Sequence, residues 1–159
     1  MKQIEINIKI GVCQLEELYD NEQALIKTAI EATKNSYAPY SHFSVGAALL
    51  LENGDMVMGA NQENAAYPSG LCAERSAIFA AQSTHPDQPI KALAIAARNG
   101  NGLMKLPIVP CGACRQVVLE IEDRYKKPVR ILLYGTDGIY IINTIKDLLP
   151  LQFIGESMK

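Results

Sequence analysis

Cys72, Glu74 and Arg75 crowd the start of an alanine-rich stretch, GLCAERSAIFAAQ at 70–82, while Cys111 and Cys114 open a second helical stretch, CGACRQVVLEIEDRY. Cysteines three apart on a helix are one turn apart, so both sulfurs of a C-x-x-C can face one point. Helix N-termini favour negative charge and lower thiol pKa values, which favours the thiolates that bind a soft or borderline metal. Cys72, at the start of the other helix, would supply a third. Three protein ligands around zinc leave a fourth position for water, the arrangement of a catalytic rather than a structural site. Other uses of these residues stay open: a C-x-x-C serves redox exchange, and small buried cysteines also simply pack. A closed four-cysteine site would need Cys13, which lies just beyond an alternating segment with no paired ligand nearby. Glu74 points to catalysis. Residues two apart on a helix point about 200° away from each other, so Cys72 and Glu74 share a site only beyond the helix's N-terminal end. A carboxylate there, beside metal-activated water, is placed to take a proton and hand it on; its plainer role is to complement the helix dipole.

The whole chain sets the bounds on that chemistry. Its 159 residues, 48% apolar, suit one domain, 1–159, with a sizeable core. A net charge of −2 and a pI near 5.7 give no footprint for a nucleic-acid backbone or an anionic membrane. The basic cluster Arg124, Lys126, Lys127 and Arg130 reads as a solvated helix end and loop. No apolar run approaches the ~20 residues of a membrane span, and MKQIEINIKIG alternates where a signal peptide would be continuously apolar. A cytoplasmic protein is expected, and in a reducing compartment four cysteines favour metal or redox chemistry over disulfides.

The elements that must position these residues follow from periodicity. Ile4, Ile6, Ile8 and Ile10 alternate with polar residues as in a half-buried strand, so residues 1–15 read as an additional, strand-like arm. Asp20 and Gln23 suggest a capping box, and Leu25, Ile26, Ala29, Ile30, Thr33 and Tyr37 recur at helical spacing, predicting a helix over about 21–36. SVGAALLLE and MVMGANQEN flank Asn53-Gly54, a hairpin signal. Next come the quoted helix to about residue 83, the strand IKALAIAAR, an NGNG loop and a helix opened by Pro110 in the first-turn position where proline costs least. Strands VRILLYG and GIYIINT and a short IKDLLP helix complete the order α-β-β-α-β-α-β-β-α. Strands this apolar suit burial on both faces, so the fold class is α/β, a three-layer α/β/α sandwich around a mixed sheet of about five strands.

CAER followed by PCGACRQV matches the C-x-E…P-C-x-x-C zinc deaminase signature, and together with YAPYSHFSVGAALL, NQENAAYPSGLCAERSAIFAA and LLPLQF it resembles the cytidine deaminase family over about residues 20–153. Three cysteines on a short chain resemble the homotetrameric type. The resemblance implies a cytidine deaminase-like fold and one Zn²⁺ per subunit held by Cys72, Cys111 and Cys114. It implies hydrolytic deamination of cytidine and 2′-deoxycytidine to uridine and 2′-deoxyuridine in pyrimidine salvage, with Glu74 as base and then acid. Three thiolates against Zn²⁺ leave net −1, and Arg75 resembles the family's arginine that draws off that charge. Asn61 and Glu63, two apart at a strand end, match the pair that binds the ribose hydroxyl, and an acceptor-only carboxylate there repels phosphate. Phe43 resembles the aromatic packed on the pyrimidine. Ala73 belongs to the same substrate-binding set. Tyr67 and Phe153 match residues that reach active sites of neighbouring subunits, so assembly would complete the pocket.

Val109 stands where the family commonly has serine, and the arm is an addition to the motif-bearing region. His42 reads as a turn or pocket-wall residue, His85 as a surface residue, and Gln116 receives no catalytic role. A zinc-binding interaction module would not need Glu74, Phe43, Asn61 and Glu63 together, and a nucleic-acid editing enzyme would need a basic channel. A deaminase of a cytosine-containing antibiotic of the blasticidin S type is the enzymatic alternative.

Overall fold

The computed structural model describes residues 1–159. Its strands are β1 (Gly11–Cys13), β2 (Ser44–Leu51), β3 (Met56–Ala60), β4 (Ile90–Asn99), β5 (Gly102–Leu103), β6 (Arg130–Gly135) and β7 (Gly138–Ile142). The α-helices are α1 (Asp20–Ala32), α2 (Ala73–Thr84) and α3 (Gly112–Tyr125). Six strands lie in the order β1-β7-β6-β4-β2-β3, and β5 pairs with the end of β4. Only β4 and β6 are parallel neighbours. Because β2 is antiparallel to both β3 and β4, β3 runs in the same direction as β4 and β6.

Alternation along the strands makes the two cores. Leu49, Leu51, Leu93, Ile95, Ile131 and Leu133 face α2 and α3 in one cluster, whereas Ala48, Leu50, Ala92, Ala94, Ala96 and Leu132 pack against Leu25, Ile26 and Ala29 of α1 in the other. The expected α/β/α sandwich is therefore present. The sheet has seven strands, two more than expected, because the arm contributes β1 and the Gly/Asn loop closes as a small hairpin around Gly102, whose φ is +111°.

Several local expectations are corrected. Of the arm, only Gly11–Cys13 forms a strand, paired antiparallel with β7; residues 1–10 form no regular element, because no strand of the chain pairs with them. Helix α1 ends at Ala32 and passes into a 3-10 turn at Thr33–Asn35, and Tyr37 lies beyond it in a bridge to Gln62. Its N-cap is Tyr19, whose amide donates to the Glu22 carboxylate at 3.3 Å, so Asp20 already belongs to the first turn. Pro110 precedes the Cys111 N-cap instead of occupying the first turn of α3. Ile145–Leu148 is a 3-10 turn, too short to sustain α-helical bonding. The Asn53-Gly54 hairpin forms as expected, with Gly54 at φ +92°.

Close packing brings α2 down onto β3. A methyl group at Gly59 would stand 2.5 Å from the Ala77 nitrogen and 2.7 Å from the Ala73 oxygen. The missing side chain of Gly59 and the alanines of α2 together let the helix backbone rest almost directly on the sheet, and this contact fixes where Cys72 and Glu74 begin.

Candidate active site

Two crossovers, β3-α2-β4 and β4-α3-β6, begin on strands of the same direction, so α2 and α3 start at the same end of the sheet. Ligand sites in open α/β sheets form beyond the carboxyl ends of such strands. Cys72 is the N-cap of α2 and Cys111 the N-cap of α3, and neither makes the side-chain hydrogen bond that Ser, Thr, Asn or Asp would make there. Their sulfurs turn toward each other, 3.8 Å apart, and with the Cys114 sulfur all three lie within 4.8 Å of one another. Cys114 is buried, Cys72 half-buried and Cys111 exposed, so the cluster opens on one side. Cys13 is not part of it, which removes the four-cysteine alternative.

The donor set fits zinc. Thiolates at tetrahedral Zn–S bonds of ~2.3 Å lie ~3.8 Å apart. The Cys114 thiol, helped by the Arg75 guanidinium, pulls the Cys72 thiol down to about 5, despite an opposing contribution from burial. Cys114 is pushed up by its bond to Cys72 and by burial, so the two sulfurs share negative charge that a cation would relieve. Arg75 Nη2 donates to Cys72 Sγ at 3.5 Å, while its buried Nε has no partner. Glu74 is 5% exposed, and burial raises its carboxyl pKa.

A cleft of about 290 Å³ contains Glu74, Cys72, Cys111 and Ala73 on one side, and Phe43, Asn61 and Glu63 on the other. Ile108 and Val109 add an apolar wall. Glu63 Oε1 accepts hydrogen bonds from the Tyr40 and Ser41 amides at 3.0 and 3.1 Å, with the Ser41 hydroxyl beside the carboxylate, and Oε2 is left for a ligand. Asn61 is more occupied than its sequence position suggests: its carbonyl accepts from Ser36 Oγ and the Val45 amide, and its amide donates to the Phe43 carbonyl. One Asn61 N–H is left for a ligand. Both residues lie just past β3, in a segment held by bridges from Gln62 to Tyr37 and Leu71.

Tyr67 and Phe153 lie outside this cleft. Tyr67 is 77% exposed and meets Tyr40 edge to face beside an adjoining cleft of about 380 Å³. Phe153 is 59% exposed, on a C-terminal segment tied to α3 by the Gln116 side chain donating to the Phe153 carbonyl. His42 adopts φ +54° in the turn before β2 and takes no place among the sulfurs. Arg115 was not singled out from the sequence; it bonds the Pro110 and Leu148 carbonyls and so braces the loop before Cys111.

A three-sulfur cluster open to a cleft, with a buried carboxylate beside it, defines a metal-dependent hydrolytic site on an α/β/α scaffold. Residues 19–128 match the model of the cytidine and deoxycytidylate deaminase zinc-binding region. A cytidine deaminase from Halalkalibacterium halodurans is 42% identical over 138 residues, covering 87% of this chain and 98% of the relative. One from Sporosarcina psychrophila is 39% identical, covering 86% and 93%. The crystal structure of the cytidine deaminase from Burkholderia pseudomallei is similar at a TM-score of 0.70 and 39% identity, covering 82% of this chain and 97% of that one. The chain belongs to the cytidine and deoxycytidylate deaminase family.

Proposed function

We propose that this chain catalyses the hydrolytic deamination of cytidine and 2′-deoxycytidine to uridine and 2′-deoxyuridine, releasing ammonia, a reaction of pyrimidine salvage in the cytoplasm. The observation that carries this reading is the buried Glu74 beside three clustered sulfurs, in a cleft that also holds Phe43 and Glu63. Cys72, Cys111 and Cys114 hold the zinc, which when bound acts as a Lewis acid that makes water nucleophilic near neutral pH. Glu74 takes a proton from the attacking water and delivers it to ring N3 so that C4 becomes electrophilic. It then takes the second proton from the hydroxyl added at C4 and delivers it to the amine, so that the C–N bond breaks, ammonia leaves and the C4 carbonyl forms. Its burial suits both roles, since a raised pKa makes the carboxylate a better base and the acid available nearer neutrality. Arg75 shares the negative charge of the thiolates.

Phe43 packs on the pyrimidine face, the Ala73 backbone borders the base, and the free oxygen of Glu63 accepts a ribose hydroxyl. The remaining Asn61 N–H donates to the sugar, while its other bonds hold Phe43 in place. Tyr67 and Phe153, exposed in the single chain, complete the sites of neighbouring copies in a homotetramer. The named relatives are all cytidine deaminases, which favours cytidine over a cytosine-containing antibiotic. The test is loss of ultraviolet absorbance with cytidine, cytidine monophosphate and cytosine. Cytidine should turn over and the other two should not. Glu74→Gln should lower turnover by about 10³-fold or more with zinc content unchanged; near-normal turnover in that variant would remove Glu74 from its role.

A further inference from the structure

Residues 1–10 lie outside the family match, which begins at residue 19. Within them Ile4, Ile6, Ile8 and Ile10 are 85%, 48%, 41% and 46% exposed, and Val12 of β1 continues the series at 69%. Alternate positions of an extended chain share one face, so these five side chains make an apolar stripe that their own chain covers only in part. The arm runs into β1, the marginal strand of the sheet, whose only partner is β7. Unpaired backbone groups at a sheet margin are a template for another strand, and the arm continues that margin beyond Gly11.

The polar residues between the isoleucines specify which strand. In Glu5-Ile6-Asn7-Ile8-Lys9, an antiparallel copy centred on Asn7 sets Glu5 against Lys9 and Lys9 against Glu5. It also sets Ile6 against Ile8, Ile4 against Ile10, and Asn7 against itself. Opposite charges facing each other across strands stabilise a pair, and like charges destabilise it. Parallel in-register pairing would oppose Glu5 to Glu5 and Lys9 to Lys9. Antiparallel registers centred on Ile6 or Ile8 face Glu5 with Asn7 or Gly11 and lose both ion pairs, and a register centred between residues sends facing isoleucines to opposite faces. Neither Glu5 nor Lys9 joins an ion pair within its own chain.

We propose that the arm is a homotypic clasp: the arms of two copies of this chain pair antiparallel about Asn7 to form a two-fold symmetric ribbon. The same surface serves both copies, as a two-fold interface requires. The clasp is independent of the chemistry at the sulfur cluster.

The test uses the zinc-loaded full chain with Asn7→Cys, oxidised mildly with glutathione disulfide and read as covalent dimer on a non-reducing gel, against the parent protein as background. Asn7→Cys should cross-link readily, while Gln3→Cys, which would face Gly11 of the other copy and not itself, should remain monomeric. Adding Glu5→Lys should slow cross-linking at position 7 by about tenfold, and further addition of Lys9→Glu should restore the rate. No cross-link at position 7, faster cross-linking of Ile6→Cys or Ile8→Cys, or a rate indifferent to the charge reversals would each overturn the clasp. An arm that binds its own body or an unrelated protein gives the first of these results.

Discussion

The Ser41 hydroxyl, with the Ser41 and Tyr40 amides, holds Glu63 ionised below its ordinary value of 4.5. A carboxylate with a depressed pKa makes its contribution above the ordinary value and loses it as pH falls through the lowered one. If this oxygen binds the sugar, KM for cytidine should stay level in Glu63's contribution from pH 7 to 5 and climb only below about 4.5. Glu63→Gln should raise KM by about tenfold at neutral pH, consistent with a hydrogen bond to a charged group. Steady-state kinetics of the two proteins across pH checks this; a Gln variant with the parent KM throughout would dismiss the sugar contact. The cysteines and Glu74 were legible in the sequence because spacing at helix starts constrains where their side chains meet. The occupation of Asn61 was not, since its partners Ser36, Phe43 and Val45 come from a distant segment that only the folded chain brings alongside.

At the scale of elements, the seat of α2 on β3 depends on a missing side chain. Gly59→Ala must push the Ala73 and Ala77 backbone away, at a cost of about 1–3 kcal/mol for overpacking. Since this contact sets the start of α2, melting temperature, zinc content and turnover should fall together. Gly100→Ala, with no atom near the added methyl group, is the control. Calorimetry and metal analysis decide it; full zinc content at a normal melting temperature would show that the seat is soft. Helices α2 and α3 and the central strands were legible because each buries a long apolar face. The arm misled because alternation reports what a strand would present, and residues 1–10 find no pairing strand in their own chain. The IKDLLP segment misled because its few residues leave helical and 3-10 bonding nearly indistinguishable by pattern.

For the whole molecule, the exposed positions of Tyr67 and Phe153 make shared active sites a question of assembly. Phe153→Ala should raise KM, and oligomers reassembled from Phe153→Ala and Glu74→Gln chains should recover part of the parent affinity, because each chain then supplies what the other lacks. Mixtures whose kinetics equal the sum of the separate proteins would place Phe153 outside any neighbouring site. The three sulfurs come from two crossovers, with Cys72 and Cys111 separated by 39 positions in the sequence. On a nascent chain emerging from a ribosome, Cys72 is therefore the first of the three ligands to appear, and the coordination set is complete only when the start of α3 has emerged and docked. A chain interrupted before Cys111 thus carries one ligand of three and cannot assemble the site.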